Sequence, residues 1–152
     1  MTSLLDNLLD LAETTVEGYQ EVEGYVCLHL KLLNRGTHCP HCNYYTAELH
    51  QTTQILVRDL SSFGKPVYLR VSRRRFYCPK CQRYSTEKIE FLAERRNYTK
   101  RYEQHIYERV LSSNVAEISR IECLSCAEVE GIFRRISSEK KRLGTSKKAN
   151  NG

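Results

Sequence analysis

Cys39-Pro40-His41-Cys42 and Cys78-Pro79-Lys80-Cys81 are the two segments from which the fold is read. Each is a Cys-Pro-x-Cys, and 35 residues, 43–77, lie between them. Together they supply four thiolates, a complete tetrahedral shell for one structural Zn2+. In each copy the proline stiffens a tight turn, so that both sulfurs face one ion while backbone N–H groups point at the thiolates. The pair reads as two knuckles closing one zinc ribbon. A redox Cys-x-x-Cys usually comes singly beside a strand-helix-strand pattern, which is missing here. A disulfide framework goes with secretion, and no signal pattern opens the sequence; iron–sulfur ligation is the remaining use of four such cysteines. Four sulfur ligands leave no open position for water, so a catalytic zinc is not expected. His38 and His41 read as exposed knuckle residues, because the cysteines already fill the shell.

At 152 residues the chain has room for one ordinary domain or two small ones, and a metal helps a small one fold. The opening Leu4-Leu5-Asp6-Asn7-Leu8-Leu9 is too short, and too interrupted by acid, for a signal or membrane segment. A soluble intracellular protein is therefore expected. The net charge of +6 is unevenly placed: residues 1–33 hold one Lys/Arg against six Asp/Glu, residues 34–110 fifteen against seven, and residues 111–152 eight against five. The basic excess begins at the knuckles, and about two units of negative charge from a zinc–tetrathiolate leave the region basic. A basic surface is the footprint of a nucleic-acid partner; a solvated charged face is its ordinary use.

Residues 3–12 place Leu4, Leu5, Leu8, Leu11 and Ala12 on one stripe with Asp6, Asp10 and Glu13 opposite, which predicts a short amphipathic helix for core packing or self-association. From Tyr19 to Leu33, Tyr25, Cys27, His29 and Lys31 alternate with Val26, Leu28, Leu30 and Leu32, a strand with Gly18 or Gly24 in the turn before it. Cys27 has no partner at ligand spacing and reads as an ordinary thiol. Residues 53–57 are β-prone, a turn follows at Ser61-Ser62-Phe63-Gly64-Lys65, and residues 66–76 form a second long strand with Val67, Leu69 and Val71 on its packed face. Arg58, Arg70, Arg73, Arg74, Arg75, Lys80 and Arg83 make a candidate phosphate-gripping set around that strand. Charge that protects a strand edge is the competing use.

Over residues 98–136 the period changes from two to about 3.6, the mark of a second unit. Thr99 is placed to cap a helix carrying Tyr102, Ile106 and Val110; Asn114 caps the next, with Val115, Ile118 and Ile121 toward a core. Ser125 and Glu128 form a capping box for a third, with Leu124 positioned to staple Val129 and an apolar stripe of Ile132, Phe133 and Ile136. The last two helices, joined by Glu122-Cys123-Leu124, read as a helix-turn-helix whose second member enters a major groove. Its groove-facing set is Ser125, Cys126, Ala127, Glu130, Arg134 and Arg135, poor in basic and amide groups, so a plain three-helix packing unit is the alternative. Cys123-Leu124-Ser125-Cys126 mimics a third knuckle, but it falls on a turn and cap and lacks both a proline and a second pair. Beyond Ser137 the apolar period fades, and a basic, mobile tail is expected.

With Arg58-Asp59-Leu60, Gly64-Lys65-Pro66-Val67, Arg74-Arg75-Phe76-Tyr77-Cys78-Pro79-Lys80-Cys81 and Ser85-Thr86-Glu87 in place around the first knuckle, the chain resembles the amino-terminal region of insertion-sequence transposases of the ISL-three type. The resemblance implies a zinc ribbon followed by a helix-turn-helix that recognises the terminal inverted repeats of a mobile element in double-stranded DNA. It also implies a nucleoid-associated, cytoplasmic location. Such transposases continue into a catalytic domain whose acidic triad binds divalent metal. The sequence stops before that domain, so no catalytic residue is assigned and a non-enzymatic binding module is expected.

The expected architecture is α+β: an amino-terminal helix (1–18), a zinc-ribbon domain built on a small antiparallel sheet (19–90), a three-helix helix-turn-helix domain (91–137) and a basic tail (138–152). A protein-interaction regulator of a full-length transposase, working through mixed or homo-oligomers, is the second functional reading. An RNA-binding module is the third, since Tyr77, Arg83 and Tyr84 interleave aromatic with basic character.

Overall fold

Alternating apolar and polar residues lay down the two strands on which the first half of the chain is assembled. The computed structural model describes residues 4–93 and 96–149. The chain forms two compact units, Met1–Thr99 and Lys100–Gly152. The first contains α1 (Leu4–Leu9), β1 (Thr14–Val22), β2 (Tyr25–Leu32), β3 (Thr37–His38), β4 (Tyr45–Thr46), β5 (Leu49–Ser62), β6 (Lys65–Cys78) and β7 (Arg83–Thr86). The second contains α2 (Lys100–Ser112), α3 (Val115–Glu122) and α4 (Cys126–Ala149). Residues 91–99, assigned from sequence to the helical part, thus group with the first unit.

The main sheet runs β1-β2-β6-β5, with β7 also pairing β6. Since β5 occupies one edge of β6 along nearly its whole length, β2 and β7 share the other: β2 pairs residues 67–70 and β7 pairs residues 75–78. The β2–β6 pairing is parallel, so the sheet is mixed and larger than the small antiparallel one expected. Parallel neighbours need a long connection between them, and the first knuckle together with β5 supplies it. The segment expected as one strand from Tyr19 is a hairpin, in which Glu23 and Gly24, with φ +89° at the glycine, turn β1 back onto β2. At the β5–β6 turn Phe63 and Gly64 both adopt positive φ, the geometry that joins strands through two residues.

Leu28, Leu30, Val57, Val67, Leu69 and Val71 meet on one face of the sheet, and Leu9, Ile89 and Leu92 close over them. The amino-terminal helix departs from expectation. It ends at Leu9, where Asp10 takes φ +50°, so Leu4, Leu5 and Leu8 stay exposed while Leu9, outside the predicted stripe, is buried. The reason lies in Asp6: its carboxylate accepts from the Val16 amide at 2.7 Å and the Thr15 hydroxyl at 3.0 Å, which fixes the helix on β1 through its polar side.

In the second unit Tyr102, Ile106, Ile118, Val129, Ile132 and Ile136 are buried, and Tyr107 stacks on Phe133 with centroids 5.0 Å apart. The caps follow sequence closely. Asn114 Oδ1 accepts the Glu117 amide at 2.8 Å, and Ser125 Oγ accepts the Glu128 amide at 3.1 Å. Thr99, the residue expected to cap α2, donates its hydroxyl to buried Asp59 at 2.8 Å. The expected tail differs: α4 continues to Ala149, because Glu139, Lys140, Lys141, Arg142 and Leu143 are all good helix formers and extend a helix already nucleated. Residues 150–152 lie outside the described residues.

Leu69 is fully buried in the main core, so Leu69→Ala should lower unfolding free energy by about 2–5 kcal/mol, whereas Leu8→Ser on exposed α1 should change it by less than about 0.5 kcal/mol. Denaturant unfolding of both variants measures the contrast.

Candidate metal centre and nucleic-acid interface

The two knuckles are built alike. Cys39 closes β3, its amide donates to the Tyr44 carbonyl at 2.9 Å and its carbonyl accepts from Asn43 at 2.8 Å, while Asn43 turns the chain at φ +61°. Cys78 closes β6 and pairs with Arg83 at the start of β7, with Gln82 turning at φ +55°. Each turn therefore ends in a left-handed residue just past its second cysteine, and both sulfurs of a pair face inward. Gly36, in the Asn34-Arg35-Gly36 turn that leads into the first knuckle, and Thr46, which no sequence pattern marks, brace this arrangement. Buried Thr46 donates to the Tyr77 carbonyl at 2.6 Å, joining the first knuckle to the strand that carries the second. A Cβ on Gly36 would collide with the Thr46 carbonyl.

The Sγ atoms of Cys39, Cys42, Cys78 and Cys81 all lie within 4.8 Å of one another, with the cross-knuckle pairs Cys39–Cys81 and Cys42–Cys78 at 3.5 Å. Tetrahedral sulfur ligands at about 2.3 Å from Zn2+ lie about 3.8 Å apart, so the cluster fits one zinc. All four are free thiols rather than disulfides. Their proton affinities are strongly divided. Burial opposes ionisation of Cys39, but the His41 and Cys42 amides and the Cys81 and Cys42 thiols outweigh it and bring that thiol down to about 6. Burial, followed by hydrogen bonding to Cys39, Cys78 and Cys42, pushes Cys81 up to about 12. One thiolate in the cluster thus suppresses the next, a conflict that a divalent cation relieves. His38 and His41 are exposed: His38 packs on Tyr45, and His41 lies 3.2 Å from an Arg83 guanidinium nitrogen. Buried Cys27 and exposed Cys123 and Cys126 stand outside the cluster.

The predicted phosphate-gripping set divides between two faces and two roles. On β6, Arg70 and Arg74 point to one side while Arg73 and Arg75 point to the other, because successive strand residues alternate. Arg58 is buried, with its guanidinium carbon 5.9 Å from the Tyr68 ring centroid, and so does not line a solvent surface as expected. Arg74 grips buried Glu87 through Nε and Nη2, both at 2.8 Å, and braces β7 rather than presenting itself to a ligand. Arg70, Arg75, Lys80 and Arg83 are exposed and Arg73 is half-buried. The strand period divides the Arg73-Arg74-Arg75 run between two faces, and only the fold brings Glu87 beside its middle member.

Ser125, just before α4, and Cys126, Ala127, Glu130 and Arg134 on it are exposed. Arg135 is turned inward, 2.8 Å from the buried carboxylate of Glu103, and holds α4 to α2 instead of joining that set. The α3–α4 connection is tightly specified: Cys123 turns at φ +56°, the Cys123 and Leu124 amides both donate to the Ser119 carbonyl, and the Ser119 hydroxyl donates to the Leu124 carbonyl. The buried Tyr102 hydroxyl, 2.9 Å from Glu122, ties the end of α3 to α2.

Residues 35–81 match the family described as the zinc-finger of transposase IS204/IS1001/IS1096/IS1165, and residues 87–137 match the helix-turn-helix domain of transposase family ISL3. The chain is also similar to the transposase for insertion sequence element IS1001 of Bordetella parapertussis, 32% identical over 93 residues, a stretch that covers 61% of this chain and 23% of that protein. The chain thus matches about a quarter of that relative's length. No solved structure matches.

Cys78→Ser should abolish stoichiometric zinc and unfold the first unit, and Gly36→Ala should weaken zinc retention against a chelator by displacing Thr46. Cys123→Ser should leave zinc content unchanged. Metal analysis and circular dichroism before and after chelation measure all three.

Proposed function

We propose that this chain, a member of the ISL3 transposase family, is a DNA-binding module that recognises the end sequences of a mobile element. The exposed first turns of α4, set by the capped and hydrogen-bonded α3–α4 connection, carry this reading. In a major groove, the helix N-terminus and the Ser125 hydroxyl lie toward phosphates, Ala127 offers a methyl surface to thymine, Glu130 accepts from cytosine N4 and Arg134 reaches guanine or phosphate. Cys39, Cys42, Cys78 and Cys81 hold one structural zinc, which supplies folding free energy and no chemistry. The ribbon adds Arg70, Arg73, Arg75, Lys80 and Arg83 to the electrostatic attraction. No catalytic residue is assigned. No helix among the described residues is long and apolar enough to cross a membrane.

A second reading rests on Leu4, Leu5 and Leu8, which leave an apolar strip of α1 exposed. It makes the chain a partner for another copy or for a full-length transposase, and light scattering across a concentration series separates it from a monomeric DNA reader.

Binding of the zinc-loaded chain to duplexes bearing the element's ends, measured across a salt series, should exceed binding to random duplex by at least about 10^3-fold and weaken steeply with salt. Arg134→Ala should cost about 1–3 kcal/mol of that affinity, while Glu130→Ala should change which base is preferred more than the overall affinity. Equal affinity for end and random sequences would sink the proposal.

A further inference from the structure

The face of β6 that carries Arg73 and Arg75 also carries a group of rings that the zinc site does not use. Tyr77 on β6 stands directly opposite Tyr84 on β7, with centroids 5.1 Å apart, and His50 of β5 approaches Tyr84 from the other side at 4.4 Å. The Arg75 guanidinium lies 5.5 Å from the Tyr84 centroid. Gln51 and Thr53, the β5 partners of Arg75 and Arg73, add exposed polar side chains to the surface.

Cross-strand aromatic pairs often serve only to stabilise a sheet. Further back along β6 this same face packs Val67, Leu69 and Val71 into the core, but over residues 74–78 the packed face is the opposite one. Phe76, between Arg75 and Tyr77, is almost fully buried there, whereas Tyr84 keeps 47% of its surface exposed and His50 is exposed as well. The charge is sorted in the same way, since Glu87 is engaged with Arg74, leaving cations beside the rings. Partly open ring faces flanked by guanidinium groups on a rigid sheet suit stacked nucleobases whose phosphates pass over the cations. Base pairs within a duplex do not offer their faces in this way, so the fitting ligand is a single strand.

We infer that His50, Tyr77 and Tyr84, with Arg75 and Arg73, form a platform that binds single-stranded DNA by base stacking, separately from duplex recognition by the helix-turn-helix. The choice of DNA over RNA rests on the DNA-binding reading above; the platform itself does not. The chain contains no tryptophan, so tyrosine fluorescence reports directly on stacking.

The test uses the full zinc-loaded chain with three fluorescein-labelled probes of one sequence: a 12-nucleotide DNA strand, the corresponding RNA strand and a duplex carrying the element's end. Wild type should bind the DNA strand with quenching of tyrosine fluorescence. Tyr84→Ala should weaken that binding about tenfold or more and leave duplex affinity unchanged, Tyr84→Phe should retain it, and Arg75→Gln should lower the salt slope by about 0.7. If Tyr84→Ala loses its zinc, His50→Ala at the exposed rim carries the comparison. Unchanged single-strand affinity in zinc-replete Tyr84→Ala, or equal losses for strand and duplex, would overturn the platform. Tighter binding to the RNA strand would overturn the choice of DNA. Loss of duplex binding in Arg134→Ala with the single-strand response intact supports the platform independently of the helix-turn-helix.

Discussion

Four sulfurs within 4.8 Å of one another impose the constraint on which the first unit depends. Without a cation, burial first and the neighbouring sulfurs after it oppose ionisation of Cys81. With one, the same crowding becomes a clasp between two segments separated by β4, β5 and β6. Everything near the clasp is arranged to keep the sulfurs convergent: the left-handed residues Asn43 and Gln82, the space that only Gly36 leaves for the Thr46 carbonyl, and the Thr46 hydroxyl on the Tyr77 carbonyl. The metal performs no reaction in this arrangement. It holds the end of β6, and β6 in turn holds both the apolar core and the polar surface.

The second unit reaches a defined shape by a different route. Its core is a modest set of aliphatic side chains, and three polar contacts fix the angles between helices: Tyr102 to Glu122, Arg135 to Glu103, and the double use of the Ser119 carbonyl at the turn. Such contacts are directional where apolar packing is not, and a buried carboxylate that lost its partner would carry a full desolvation cost. The exposed face of α4 is left free of this work, which is consistent with its proposed role in the groove.

Patterns short in sequence were the legible part. The knuckles, the caps at Asn114 and Ser125, the stripe of α2 and the alternation in β2 and β6 all follow from spacing within a few residues. What escaped the sequence were the long-range pairings. Nothing local in residues 26–29 announces a parallel partner at residues 67–70, nor does Asp6 announce the Val16 amide that turns α1 onto its polar side. The basic residues misled for the same reason. Arg58, Arg74 and Arg135 read as free cations until Tyr68, Glu87 and Glu103 are seen beside them. Only the residues left after these partners are satisfied contribute to a binding surface, and on β6 Arg73 and Arg75 fall on the same side as Tyr77 while Arg70 falls on the other.

The parallel pairing of β2 with β6 bears on how the chain comes to be folded. Joining residues 26–29 to residues 67–70 closes a loop of roughly forty residues, an ordering cost that grows with the logarithm of loop length. The first knuckle sits inside that loop and the second just beyond β6, so a zinc ion that gathers both beforehand shortens the remaining search. Cellular zinc supply would then set the rate at which newly made chains become competent, as well as the fraction that stays folded.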